Sequence, residues 1–294
     1  MFITVYEVGP RDGLQNEQIA INVEDKIHLI RLLSKAGLQN IEVTSLVHPK
    51  WIPPLADATE VLKGISQDDK TQYSVLVPNL RGLERLQDNQ VQEVALFLSA
   101  SETHNQKNTN KSRVESLHAL RETAYIATKR GFRLRGYVST VFGCPYEGDV
   151  SLADTRWLIQ ELFDMGVSQI SIGDTIGVAT PKQVHEVFSS LVTTWGSDRF
   201  AAHFHDTRGS GLANVVAALQ EGITVFDSSV GGLGGCPYAP GAAGNIATED
   251  LVYLLEGMGY ETGIDMSILL RAGQFIQGII GRELPSKMLK TIAG

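Results

Sequence analysis

Ile3-Thr4-Val5-Tyr6-Glu7-Val8-Gly9-Pro10-Arg11-Asp12-Gly13-Leu14-Gln15-Asn16-Glu17 opens the chain as a strand that runs into a polar turn. That turn decides between two α/β architectures. An open doubly wound sheet places a glycine-rich phosphate turn after its first strand, and Gly9–Glu17 has proline, arginine and aspartate there instead. Outward from this point the hydrophobic period keeps switching. Strand-like runs recur at Asn40–Thr44, Tyr73–Val77, Glu93–Leu98, Leu134–Val141, Gln169–Ile172, Phe200–Phe204 and Thr224–Ser228. Amphipathic stretches separate them at Val23–Ala36, Ala58–Ile65, Leu80–Asp88, Val114–Arg130, Leu152–Met165, Lys182–Trp195 and Gly211–Gln220, and Glu249–Glu256 follows the last strand. Gly37, Gly131, Gly166 and Gly222 stand just past helical stretches, where helices stop. Eight strands, each followed by a helix, is the count of a (β/α)8 TIM barrel. One further helix, near Ser267–Gly281, is left over. The expected organisation is one domain, with the catalytic barrel at 1–263 and a carboxy-terminal helical extension at 264–294.

Composition excludes several classes. The 294 residues are 43% apolar and 20% charged, enough apolar content for a large core and too little charge for a disordered chain. Twenty-five basic against thirty-three acidic residues leave a charge of -8, so neither a nucleic-acid groove nor a polybasic membrane surface is expected. Cys144 and Cys236 are too few for a disulfide scaffold or a cysteine-built zinc module. No apolar run approaches the ~20 residues of a membrane span. With a strand starting near Phe2, no leader peptide is expected, and the compartment expected is the cytoplasm.

In a barrel of this kind the chemistry lies at the carboxy-terminal ends of the strands. Polar residues cluster there: Arg11, Asp12, Gln15 and Asn16 after the first strand, Glu42 and Thr44 on the second, Ser171 and Asp174 on the sixth, and His203, His205 and Asp206 on the seventh. Asn245 follows the eighth. His203 and His205, two apart, point to one side of their strand. An H-x-H pair alone is as often hydrogen-bonded structure as metal ligand. Barrel closure brings Asp12 into the same neighbourhood, which favours the metal. Two imidazoles, a carboxylate and an amide suit Mg2+ or Mn2+, and zinc fits the ligand types as well. Arg11 beside Asp12 reads either as a structural salt bridge or as a fixed cation for an enolate or thioester oxygen. Four glycines in Gly231–Gly235 read as a flexible turn or as a mobile loop delivering Cys236 to the site, as nucleophile or general acid. Cys144 reads as structural, Glu42 and Asp174 as residues orienting the inner site, and Ser171 as pocket or barrel filler. His48 and His104 lie in loops after strands and are the remaining histidine candidates.

These stretches, together with Gly173-Asp174-Thr175-Ile176-Gly177, His203-Phe204-His205-Asp206-Thr207, Gly232-Leu233-Gly234-Gly235-Cys236-Pro237-Tyr238-Ala239 and Gly244-Asn245-Ile246-Ala247-Thr248-Glu249, resemble the 3-hydroxy-3-methylglutaryl-CoA lyase family. The resemblance runs in order from residue 3 to about 280. Isopropylmalate and homocitrate synthases are similar in the Arg-Asp pair and H-x-H but not in the Cys236 loop. The resemblance implies retro-Claisen cleavage of 3-hydroxy-3-methylglutaryl-CoA to acetyl-CoA and acetoacetate. It implies Asp12, His203, His205 and Asn245 as ligands of Mg2+ or Mn2+, and Arg11, Glu42, Asp174, His203 and Cys236 as catalytic residues. Arg11, Gln15 and Ser171 would meet the acyl-CoA thioester, and Cys236 would protonate the enolate. The base is left among Asp174, His203 and water. Asp206–Gly211 and Ser101–Asn105 depart from the animal members and suit the bacterial type.

Three rivals stand beside this expectation. One is a lyase for a related thioester, such as citramalyl-CoA or a longer 3-substituted glutaryl-CoA. A second is a Claisen-type synthase, which would leave the Cys236 loop idle and is expected to carry a regulatory domain. The third is a catalytically dead scaffold, against which the intact ligand set, Arg11 and Cys236 argue. The leftover helix suggests a homodimer contact.

Overall fold

The structure, a computed structural model, describes residues 1–65, 70–87, 90–234 and 244–291. Eight parallel strands close into a barrel in chain order: β1 Thr4–Glu7, β2 Asn40–Ser45, β3 Gln72–Leu76, β4 Glu93–Ser99, β5 Arg133–Ser139, β6 Gln169–Asp174, β7 Phe200–Phe204 and β8 Val225–Ser228. Around them run α1 Val23–Lys35, α2 Ala58–Gly64, α3 Leu80–Leu83, α4 Glu102–Thr109, α5 Arg113–Lys129, α6 Leu152–Asp164, α7 Pro181–Trp195, α8 Gly211–Gln220 and α9 Thr248–Gly257. Two more helices, α10 Met266–Ile280 and α11 Lys287–Thr291, follow α9. The (β/α)8 expectation and the carboxy-terminal helical extension are both observed. None of the described helices is long and apolar enough to cross a membrane.

Local signals explain most boundaries. Asn22 caps α1 by accepting from the Asp25 N–H, and α1 stops before Gly37 (φ 94°), a conformation that suits glycine. Capping boxes of Ser112 with Glu115 and of Thr180 with Gln183 start α5 and α7. β5 stops at Ser139, two residues before the expected end. Thr140 takes a left-handed φ of 60°, held by its N–H to Thr175 and its hydroxyl contact with Ser99. The regular part of the expected Leu80–Asp88 helix ends at Leu83, and Asp88 lies outside the described residues.

The strands' outward side chains pack under the helices in one continuous core that includes Ile41, Val94, Leu134, Ile170 and Phe226. A second, small apolar cluster of Leu76, Ala95 and Tyr137, with Phe97 against it, is separate from that core. Register then places the site. β1 pairs with β8 and β7 pairs with β8, with His203 level with Asp227. The turn after β1 is thereby carried next to the end of β7. The tail docks on the same end of the barrel: the Ser286 N–H donates to the Gly231 carbonyl, and Asp250 accepts from Ser286, Lys287 and Met288.

Candidate active site

Gly9–Gly13 forms one wide π-type turn after β1, its N–H groups from Arg11, Asp12 and Gly13 converging on the Val8 carbonyl. The turn aims Arg11 and Asp12 together over the barrel mouth. Arg11 Nε donates to Glu42 Oε2 at 2.6 Å and Nη1 to Asp12 Oδ1 at 2.5 Å. One planar guanidinium thus ties the turn after β1 to β2, a geometry a point charge cannot copy. Gln15 Nε2 donates to the same Asp12 oxygen at 2.7 Å, and Asn245 Nδ2 to Asp12 Oδ2 at 2.8 Å.

Ligand atoms of Asp12, His203 and His205 all lie within 4.8 Å of one another. Burial alone would raise the Asp12 carboxyl, but Arg11 and the two imidazoles bring it down to about 2. Burial, with His203 beside it, lowers His205 to about 4. An ionised carboxylate and a neutral imidazole are the states that ligate a divalent cation. Asn245 Oδ1 and His205 Nδ1 are buried with no hydrogen-bond partner among the described residues. Unpartnered buried polar atoms at the edge of such a cluster fit a cation bound beside them. The donor set therefore suits the expected metal, with mixed oxygen and nitrogen ligands.

Arg11, Asp12, Gln15, Ser171, His203 and His205 line a cavity of about 340 Å³. Leu76, Phe97, Tyr137 and Val138 line it too, giving it an apolar side. Glu42 is fully buried and acts on the cavity through Arg11. Asp174 is buried with its two oxygens taken by the Val178 and Ala179 N–H groups, so it orders the loop after β6, and burial raises it to about 6. Ser171 donates to Asp227 at 2.6 Å. Cys144 is buried and its thiol donates to Ser101. His104 lines the cavity on α4, and His48 is exposed. Cys236 lies outside the described residues.

The start of the glycine-rich segment, Val230 and Gly231, is held by two buried carboxyl groups. Glu7 accepts from the Gly9 and Val230 N–H groups and from the Thr248 hydroxyl. Glu249 accepts from the Gly231 N–H at 2.9 and 3.0 Å. Gly231 has a φ of 67°, and a Cβ there would sit 2.4 Å from Leu284. Only glycine fits between the turn and the tail. Burial raises Glu7 to about 7 and Glu249 to about 8.

Sequence reasoning passed over Arg135, Tyr137 and Asp227. Asp227 takes His203 Nδ1 at 3.2 Å and the Arg135 guanidinium at 2.6 Å, and Tyr137 donates to Glu42 at 3.2 Å. The signal was present: Arg135 and Tyr137 are two apart on one strand, and Asp227 is an acid inside an apolar run.

Fold and site together define a (β/α)8-barrel enzyme with a candidate metal centre at its mouth. The family model described as HMGL-like matches residues 3–276. A hydroxymethylglutaryl-CoA lyase of Bacillus subtilis is 54% identical over 98% of this chain and 96% of its own. A Pseudomonas aeruginosa protein named 3-hydroxy-3-isohexenylglutaryl-CoA/hydroxy-methylglutaryl-CoA lyase is 48% identical over 99% of this chain and 97% of its own. The crystal structure of the B. subtilis HMG-CoA lyase superposes with a TM-score of 0.98 at 52% identity, covering 100% of this chain and 98% of that one. The chain belongs to the HMGL-like family, and it is a carbon–carbon lyase.

Proposed function

We propose that this enzyme cleaves 3-hydroxy-3-methylglutaryl-CoA to acetyl-CoA and acetoacetate. The observation that carries the reading is the Asp12, His203 and His205 cluster beside the paired Arg11, in a cavity with an apolar side. Asp12, His203, His205 and Asn245 would hold Mg2+ or Mn2+. Bound there, the ion would supply Lewis-acid polarisation to the hydroxyl and carboxylate oxygens of the substrate.

The remaining work falls to side chains. A base drawn from Asp174, His203 and water would take the proton of the tertiary hydroxyl as the carbon–carbon bond breaks, and the electron pair of that bond becomes the enolate of acetyl-CoA. Arg11, already ionised and oriented by Glu42 and Asp12, presents its guanidinium to the charge that develops on the thioester oxygen. Gln15 and Ser171 offer polar contacts along the same wall. Cys236 would return a proton to the enolate carbon, which balances the one lost from the hydroxyl. A cytoplasmic homodimer is the assembly this reading expects.

The apolar side formed by Leu76, Phe97 and Tyr137 favours one second reading, acceptance of longer 3-alkyl substituents. A panel of 3-hydroxy-acyl-CoA thioesters assayed with Mg2+ or Mn2+ for acetyl-CoA release tests both. The highest kcat/KM should fall on the 3-methyl substrate. Turnover of only longer-chain or citramalyl thioesters would replace the first reading, and no cleavage of any would remove both.

A further inference from the structure

Asp227 sits fully buried on β8, level with His203 on β7. Arg135 and Ser171 both donate to it. Arg135 reaches Oδ1 through Nη2 at 2.6 Å and Oδ2 through Nη1 at 3.4 Å. The Ser171 hydroxyl donates to Oδ2 at 2.6 Å, and His203 Nδ1 lies 3.2 Å from that same oxygen. Across the ring, His203 Nε2 faces Asp12 Oδ2 at 3.9 Å. The imidazole is therefore strung between two carboxylates, one inside the barrel and one in the candidate metal cluster.

A neutral imidazole carries one proton, and its position is set by the partner of each nitrogen. With Asp227 ionised against Arg135, a bare lone pair on Nδ1 would oppose a carboxylate lone pair in a buried site. The proton belongs on Nδ1, which leaves the Nε2 lone pair directed at the cluster. Arg135 is itself fixed. Its guanidinium lies 3.8 Å from the Tyr6 ring centroid and 4.8 Å from that of Tyr137, and it donates to the Tyr137 hydroxyl at 2.7 Å. Tyr137 in turn donates to Glu42, the partner of Arg11.

We propose that Asp227, anchored by Arg135 and Ser171, is a positioning residue that locks His203 in the Nδ1–H tautomer and so presents Nε2 to the metal centre. This rests on the metal reading given above. Carboxylates that orient metal-bound histidines in this way typically change metal affinity or activity 10–100-fold when removed. In Asp227→Asn the amide oxygen stays with Arg135, which can only donate, and the amide NH2 turns to His203. Nδ1 must then accept, the proton moves to Nε2, and the ligating lone pair is lost.

The tautomer is read directly, without metal, from long-range 1H–15N correlation spectra of histidine-labelled protein at pH 8, with His203→Ala providing the assignment. Wild type should show His203 protonated on Nδ1, and Asp227→Asn should show it on Nε2, with Mn2+ affinity by electron paramagnetic resonance lowered 10–100-fold. A wild-type His203 protonated on Nε2 overturns the proposal even if the variant does not fold. So does an Asp227→Asn protein with unchanged tautomer and unchanged Mn2+ affinity. Wild type that shows the Nδ1–H tautomer but binds no Mn2+ overturns the metal reading instead, and with it the purpose assigned to the lock.

Discussion

Replacing Glu249 with glutamine should reverse the sign of the stability difference from wild type between pH 5 and pH 9. Burial carries this carboxyl from its ordinary 4.5 to about 8, with the charges of Glu7 and Asp250 adding to the rise and the Gly231 N–H opposing it. The folded protein thus binds this proton more tightly than the unfolded chain does. Below about pH 4.5 both states are protonated and the contribution is fully present. Between there and about pH 8 the unfolded chain has lost the proton while the folded protein keeps it, so stability falls as pH rises. At about 1.4 kcal/mol per pH unit, roughly 4 kcal/mol disappears between pH 5 and pH 9. Glutamine has no proton to lose. Its amide oxygen can accept from Gly231, but its NH2 group lacks the match a protonated acid has, which costs about 1–3 kcal/mol at any pH. The variant should therefore be less stable than wild type at pH 5 and more stable at pH 9, each by roughly 1–3 kcal/mol. Urea unfolding of both proteins at the two pH values, followed by circular dichroism, measures this, and the slopes of groups not coupled to Glu249 cancel in the difference. A variant whose deficit is the same at both pH values would refute the reasoning.

Three further outcomes are expected. Arg11→Lys keeps the charge but cannot reach Glu42 and Asp12 together, so kcat should fall about 10²–10³-fold, and a lysine enzyme with wild-type kcat would remove Arg11 from the enolate. Asp12→Ala or His203→Ala should abolish turnover and weaken Mn2+ binding, since each deletes a proposed ligand; full activity of either in chelator-treated buffer is the contrary result. Cys236→Ser should lower kcat by ~10²–10⁴ with little change in KM, while Cys144→Ser, a buried thiol held by Ser101, should leave kcat nearly intact. The opposite ranking of the two cysteines would reassign the proton donor.

The barrel was legible because its signals are local. The alternation in Ile3–Val8, the 3.6-residue period of Val23–Ala36 and the glycine stops each depend on residues close in sequence. Residues that end a strand with polar groups were legible for the same reason, which is why Arg11, Asp12, His203 and His205 stood out together. α4 was not, because Glu102–Thr109 reads Glu-Thr-His-Asn-Gln-Lys-Asn-Thr and has no apolar period. Only the Ser101 cap announced it.

What tertiary structure alone decided is who faces whom across the closed sheet. Glu42 meets Arg11 from 31 residues away, and Asp227 meets Arg135 from 92. Barrel closure and register bring these charges into contact, and neither period nor spacing along the chain encodes which partner each will find. The same holds for the glycine turn. Its composition reads as flexible, yet Gly231 is pinned by Glu249, the Ser286 N–H and Leu284, because buried backbone groups must find partners wherever the fold supplies them. Sequence alone determined that Arg11, Asp12, His203 and His205 stand at the mouth of the barrel. The packing of β1, β5, β7, β8 and the tail determined which of them are paired and protonated and where they point, since burial and partner together set those states.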